Sequence, residues 1–196
     1  MNKLFIPLAL FSAFSIAQDD SPNAKNDGYF YIGAAYHDTT ELDGDSEIIK
    51  LKSGFSLNIG KSWVVSNKFS LGLEAEYFDM GDESSTKFYK DHFDNFKFNG
   101  SALSLSIKPT YKPMTNGLYF AVLTGVGRYK MESFYNYRSL GWESIKSNER
   151  GYSVGGEIGY EFDRFILNLG YSTISTKFNN YNVDLSSFRL GGQYKF

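Results

Sequence analysis

The chain has 196 residues, 20 Lys+Arg against 22 Asp+Glu and a formal net charge of -2. That is room for one core of ordinary size, with no basic excess to clamp a nucleic-acid backbone. There is no cysteine, which excludes a disulfide scaffold, a thiolate metal site, a cysteine nucleophile and a lipid-modified N-terminal cysteine. Aromatic residues make up 18% of the chain, and 19 glycines stand against 4 prolines, the composition of an all-β protein.

Residues 1–17, MNKLFIPLALFSAFSIA, have the order of a secretory leader. Lys3 supplies the positive start and Leu4 to Phe14 the apolar run, while Ser15, Ile16 and Ala17 give the small-x-small cleavage pattern. The run is shorter than the roughly 20 apolar residues of a membrane-spanning helix, so cleavage before Gln18 is expected. Residues 18–27, QDDSPNAKND, read as a disordered lead-in.

From Gly28 the dominant period is two, and eight strands follow. The first carries Phe30, Ile32, Ala34 and Tyr36 on one face. The second, read over residues 47–60, alternates Ile49, Leu51, Phe55, Leu57 and Ile59 with Lys50, Lys52, Gly54, Ser56 and Asn58. After the turn around Ser66 and Asn67, the third sets Phe69, Leu71, Leu73 and Tyr77 against Gly72, Glu74, Glu76 and Phe78. A fourth holds Leu103, Leu105, Ile107 and Tyr111, with Pro109 near its end, and a fifth holds Leu118, Phe120, Val122 and Val126. The sixth, seventh and eighth present Tyr152, Ile158 and Tyr160, then Phe165, Leu167, Leu169 and Tyr171, then Phe188, Leu190, Tyr194 and Phe196. Such alternation marks strands with one oily face.

The connections fall into two classes. Short turns lie near 66–67, 114–117 and 163–164, whereas residues 38–46, 81–97, 132–150 and 175–183 form longer polar connections. This asymmetry is that of an outer-membrane barrel with tight periplasmic turns and long outer loops. A soluble barrel of the lipocalin kind would turn the oily register inward, and alternation alone does not choose between them. The leader, the mixed charges among glycines in the polar register, and aromatics near both strand ends (Phe30, Trp63, Phe69, Tyr111, Phe162 and Phe165 against Tyr36, Tyr77 and Tyr171) favour the membrane form. The polar register then lines the lumen, where Lys50, Lys52, Glu74, Glu76, Lys108, Glu157 and Arg189 are expected to form one charge network.

The final residues, RLGGQYKF, resemble the C-terminal signal of bacterial outer-membrane barrels, with Gly191, Tyr194 and the terminal Phe196 as its elements. Residues 53–81 are also similar to the second and third strands of OmpA-like and opacity-type eight-stranded porin-family barrels. The resemblance spans residues 28–196. It implies an eight-stranded antiparallel up-and-down transmembrane β-barrel in the bacterial outer membrane, handled by the barrel-assembly machinery and surrounded by outer-membrane lipid. OmpA proteins add a peptidoglycan-binding domain; this chain stops at Phe196, so no cell-wall tether is implied.

Catalytic chemistry is scarce. His37 and His92 are too few for a three-histidine zinc site and read as surface residues. Some eight-stranded barrels modify lipid A with a Ser/His-type site, for which His37 and a loop serine would be the candidates, but no hydrolase elbow accompanies them. Glu41, Asp43, Asp45 and Glu47 around Gly44 have calcium-loop character without the full pattern, and read as a solvated acidic loop. No cofactor, metal or nucleic-acid partner is expected. The leading expectation is a scaffold displaying four loops to a host or phage surface ligand, with loop aromatics Phe88, Tyr89, Phe93, Phe96, Tyr135, Tyr137 and Trp142 as contacts. A small pore and a lipid A-modifying enzyme are the alternatives.

Overall fold

The computed structural model describes residues 28–38, 41–43, 48–50, 52–88, 93–113, 117–136, 142–178 and 181–196. The expected leader and lead-in, His92, Tyr89 and Tyr137 lie outside the described residues. Ten strands are present among the described residues: β1 Tyr29–His37, β2 Glu41–Asp43, β3 Ile48–Lys50, β4 Gly54–Val64, β5 Phe69–Phe88, β6 Phe93–Tyr111, β7 Leu118–Asn136, β8 Trp142–Glu161, β9 Phe165–Phe178 and β10 Tyr181–Lys195. Successive neighbours are antiparallel, and β1 pairs with β10 from Tyr31↔Lys195 to His37↔Arg189, closing the ring. The pairing Glu41↔Lys50 of β2 with β3 keeps the register of His37↔Gly54 between β1 and β4. The short pair therefore prolongs β1 and β4, and the barrel has eight staves.

The oily register faces outward. Ile32, Leu57, Leu103, Val126, Leu167 and Leu190 are each more than half exposed, with Leu103 at 64% and Val126 at 65%. A belt of this extent would be untenable in water and is matched by lipid. Aromatic rings gather at its periplasmic edge, where Phe69 lies 4.9 Å from Tyr111 and Tyr160 4.8 Å from Phe162. Tyr171 and Phe188, 4.8 Å apart, mark the other edge. The periplasmic turns are tight: Val65 donates to Phe69 O at 2.9 Å, and Phe162 to Phe165 O at 2.8 Å. Pro109 sits inside β6, and the β6–β7 ladder is interrupted there, between Ile107↔Thr124 and Thr110↔Ala121, because proline has no N–H to offer.

The connections read from the sequence as long loops are mostly strand. β5 and β6 stay paired out to Phe88↔Phe93, β7 and β8 out to Asn136↔Trp142, and β9 and β10 out to Tyr181↔Phe178. Period two continues through them, but the chemistry of the inner face changes. Below, the inward positions are polar; above Glu76 they become Phe78, Met80, Phe98, Tyr129, Met131, Ile174, Val183 and Leu185, one buried cluster with Phe178 packed on it. The outer face there meets water and is polar, so the oily register moves from one face to the other as the strands leave the membrane. That switch is what made these segments look like loops.

Among the described residues the β8–β9 ladder begins only at Tyr152↔Ser175, and above Asp82 β5 pairs with β6 alone. The ring thus opens into two facing sheets, β5–β6–β7–β8 and β9–β10–β2–β3, with the apolar cluster between them. The first sheet bends at a bulge in β5, where the register shifts between Asp79 and Asp82. Gly81 adopts φ +79° there, its N–H donates to Asp79 Oδ1 at 2.9 Å, and a Cβ would stand 2.3 Å from Lys52 O. Only glycine fits.

Candidate functional site

The lumen is filled in layers. At the periplasmic end Glu161 accepts from Lys112 at 2.8 Å, Lys195 at 3.4 Å and the Tyr29 hydroxyl at 3.1 Å. Next to it Tyr119, Ala121 and Ile166 form a small apolar cluster. The middle layer is ionic. Glu157, projecting inward from β8, accepts from Lys108 at 2.6 Å, from the Tyr119 hydroxyl at 2.6 Å and from the Arg189 guanidinium. Arg189 also reaches Glu76 at 3.5 Å, and Lys108 lies 3.9 Å from Glu74. Glu74 accepts the Tyr31 hydroxyl at 2.9 Å and Gln193 at 3.5 Å. Three carboxylates meet two cations, and the tyrosine and glutamine donors make up the rest, which is the condition for ions to tolerate burial.

Those tyrosines need glycine opposite them. Tyr31 pairs across the strands with Gly60, and Tyr119 with Gly159. A Cβ on either glycine would stand 2.4 Å from the tyrosine Cζ, so each ring lies flat on its partner's backbone and aims its hydroxyl at a carboxylate. Above the ions His37 bridges Ser56 Oγ at 3.0 Å and Ser187 Oγ at 3.2 Å, its ring 4.2 Å from Phe78. The apolar cluster of the extension then covers the lumen. Among the described residues, small cavities lie between layers, one of about 30 Å³ beside His37, Glu76 and Arg189 and one of about 10 Å³ beside Tyr29, Lys108 and Glu161. They have room for a water or two rather than a solute.

Of the seven ionisable residues placed in the lumen from the sequence, Glu74, Glu76, Lys108, Glu157 and Arg189 come together. Lys52 does not: it is exposed in the break between β3 and β4, where its N–H donates to Asp82 O at 3.0 Å. Lys50 belongs to β3, above the membrane, opposite Glu41, and its side chain lies outside the described residues. The reason is the break at Lys52 and Ser53, which interrupts the alternation read over residues 47–60. His37 is likewise corrected: it is buried in the lumen at 2% exposure rather than on the surface. It follows Tyr31, Gly33 and Ala35 on the inward register of β1, a parity legible in the sequence. Tyr31, Tyr119 and Gln193 belong to the same network, but as uncharged residues they carry no ionic signal in the sequence.

Gly191 faces inward, where a Cβ would stand 2.5 Å from Asn168 Oδ1. Tyr194 lies between Phe165 at 5.3 Å and Phe196 at 5.4 Å. Phe196 is 69% exposed, and its N–H donates to Phe30 O at 2.9 Å. Among the described residues no group of His, Asp and Glu is disposed to hold a metal ion. The acidic stretch around Gly44 has its backbone partly in β2, and its side chains lie outside the described residues.

The family model for the outer membrane protein beta-barrel domain matches residues 6–196. The chain belongs to that family. Its place is the bacterial outer membrane, and outer-membrane lipid covers the exposed belt. Among solved structures it is similar to Ail, the attachment invasion locus protein of Yersinia pestis, at 15% identity and TM-score 0.55 over 87% of this chain and 99% of that one; that structure is a complex with the heparin analogue sucrose octasulfate. Neisserial surface protein A is similar at 14% identity and TM-score 0.52, over 87% and 99%. A major outer membrane protein of Thermus thermophilus is similar at 15% identity and TM-score 0.54, over 87% and 100%. No curated protein sequence matches the chain. At these identities the likeness speaks for the eight-stranded barrel fold that the family members share.

Proposed function

We propose that the protein is a display barrel whose activity resides in the two-sheet extension above the membrane, not in the lumen. The carrying observation is how the interior is filled: an ionic layer centred on Glu157 and Arg189, capped by the Phe78–Met131–Leu185 cluster, leaves cavities of about 30 Å³ and about 10 Å³. A pore needs continuous water, and the paired ions and packed tyrosines of these layers speak against one. A Ser/His enzyme working on outer-leaflet lipid needs its histidine outside, whereas His37 is enclosed between Ser56 and Ser187. The extension, by contrast, is rigid enough to hold a surface in shape, since it has its own core. In it the Tyr135 hydroxyl donates to Glu143 at 2.6 Å across the β7–β8 pair, and that bond raises the phenol's pKa. Ail, crystallised with a heparin analogue, supports a host-surface ligand by analogy, with a phage surface as the other candidate.

Removal of residues 86–96 and 134–146 is expected to leave outer-membrane assembly intact and to abolish adhesion to host cells or phage adsorption, whichever the full chain supports. Planar bilayers holding the wild type are expected to show no single-channel steps. Full adhesion after the deletion, or steps altered by Glu74 substitution, would favour a pore.

For biogenesis we propose that Gly191, Tyr194 and Phe196 are read by the barrel-assembly machinery. The Phe196 ring is exposed and adds little packing, so Phe196→Ser is expected to lower outer-membrane levels in cells while refolding into detergent proceeds normally. Normal insertion in cells would refute this.

A further inference from the structure

The ionic layer of the lumen is one positive charge short. Among the described residues Glu74, Glu76 and Glu157 meet Lys108 and Arg189, and both cations are drawn to Glu157, Lys108 at 2.6 Å and Arg189 through Nη2. Hydrogen bonds from Tyr31 and Gln193 go to Glu74 and one from Tyr119 goes to Glu157. Glu76 receives none of these three, and its cation is Arg189 Nη1 at 3.5 Å. Lys112 and Lys195 do not make up the difference, because they stand partly exposed at the periplasmic end and hold Glu161. His37 is badly placed to supply it. It lies directly opposite Arg189 in the β1–β10 register, so an imidazolium would face a guanidinium across one pair, and like charges so placed repel. An unbalanced charge at this depth is costly.

Beside Glu76 the wall recedes. On the inward faces of β6 to β9, Ser104 stands opposite Gly127, Ser153 opposite Gly125 and Ser172 opposite Gly155. These short side chains leave the cavity of about 30 Å³ that Glu76, His37 and Arg189 border from β5, β1 and β10. Tyr129 closes it from above. The residue is 0% exposed, its ring belongs to the apolar cluster of the extension, and its hydroxyl hangs over Gly127, where a Cβ would stand 3.0 Å from Oη. That hydroxyl has no hydrogen-bond partner among the described residues, although a buried phenol ordinarily finds one. A carboxylate short of positive charge, a free phenol oxygen and serine hydroxyls therefore surround one water-sized chamber.

Water there would satisfy the hydroxyls and leave the charge. An alkali cation is no larger than a water, takes oxygen ligands and brings the missing charge. We propose that this chamber binds a monovalent alkali cation, held by the Glu76 carboxylate, the Tyr129 hydroxyl oxygen and the hydroxyls of Ser104 and Ser153. Bound there, the cation ties the ionic layer to the core of the extension, because Glu76 belongs to the one and Tyr129 to the other.

The test is urea unfolding of the barrel in lipid vesicles at constant ionic strength, with sodium or potassium chloride exchanged against the chloride of N-methylglucamine, an organic cation too large for the chamber. A cation bound by the folded state alone raises the midpoint with its concentration, and above its dissociation constant the folding equilibrium constant grows about tenfold for each tenfold of salt. The wild type is expected to show this in at least one of the two alkali salts. Tyr129→Phe keeps the ring and removes one oxygen, and should move the onset to about tenfold higher salt. Glu76→Gln should abolish the dependence, and Asp163→Asn, at an exposed periplasmic turn, should respond as the wild type does. Should Glu76→Gln fail to fold, Tyr129→Phe decides, together with wild-type crystals grown in rubidium chloride, which should show an anomalous peak between Glu76 and Tyr129. Equal midpoints in all three salts would overturn the proposal in favour of a proton or a water. A Tyr129→Phe response equal to that of the wild type, or no rubidium peak in the chamber, would overturn the location.

Discussion

Glu157→Ala is expected to lower the stability of the barrel by about 3 to 5 kcal/mol, because it strands two buried cations rather than because the ion pairs are strongly favourable. Lys108 and Arg189 both end on Glu157, and all three side chains are nearly inaccessible. Once the carboxylate is gone, the carboxylates left among the described residues are Glu76 at 3.5 Å for Arg189 and Glu74 at 3.9 Å for Lys108, while the Tyr119 hydroxyl loses its acceptor. Glu74→Ala should also destabilise, since it removes the acceptor of Tyr31 and Gln193. The comparison is Lys146→Ala, which breaks a pair whose lysine side chain is 72% exposed and should cost no more than about 1 kcal/mol. Urea midpoints of the heat-modifiable band in lipid vesicles measure all three. Midpoints for Glu157→Ala and Lys146→Ala that coincide would mean that water reaches Glu157.

Leu185→Asp is expected to unfold the extension without unfolding the membrane barrel. Leu185 is 1% exposed, sits opposite Ile174 and joins the two facing sheets through the cluster of Phe78, Met80 and Met131. A carboxylate there has no cation among the buried neighbours, and burying it unpaired costs several kcal/mol. The β8–β9 rows from Val154↔Thr173 downward contribute no residue to that cluster. Limited trypsin treatment of cells should then cut near Lys130, Lys146 and Lys177 and leave a protected barrel fragment. Asp184→Leu, one residue away and facing water, should leave the digestion pattern as in wild type. If Leu185→Asp resisted trypsin equally, the extension would not be held by this core.

The charge network shows how far alternation carries. Glu74, Glu76, Lys108, Glu157 and Arg189 occupy every-other positions on four strands, and position along a strand decides only which face a side chain takes. Strand parity placed them inside together with His37 and Tyr31, whether or not they were noticed. Parity does not state how two strands are offset, so it could not say that Glu157 meets Lys108 and Arg189 while Glu74 meets Tyr31. That follows from shear and ring closure, which bring residues of β1, β5, β6, β8 and β10 to one height.

By itself the sequence determined the strand content, the short turns, the division of each strand into an oily and a polar face and the all-β barrel class, because each is written in spacing along one strand or between two neighbours. Only the tertiary structure decided where the membrane portion stops. Above it the strands run on to Phe88, Asn136 and Phe178, with Met80, Phe98, Met131, Val183 and Leu185 turned inward. A local pattern does not announce that inversion, since the oily face of a strand is chosen by whichever solvent the assembled barrel presents at that height. The break at Lys52 and Ser53 and the bulge at Gly81, which set Lys52 outside the lumen and bend the extension, depend on partner strands far along the chain. Lys52 illustrates the point: its place is fixed by a hydrogen bond to Asp82 O, a carbonyl 30 residues on in the sequence numbering.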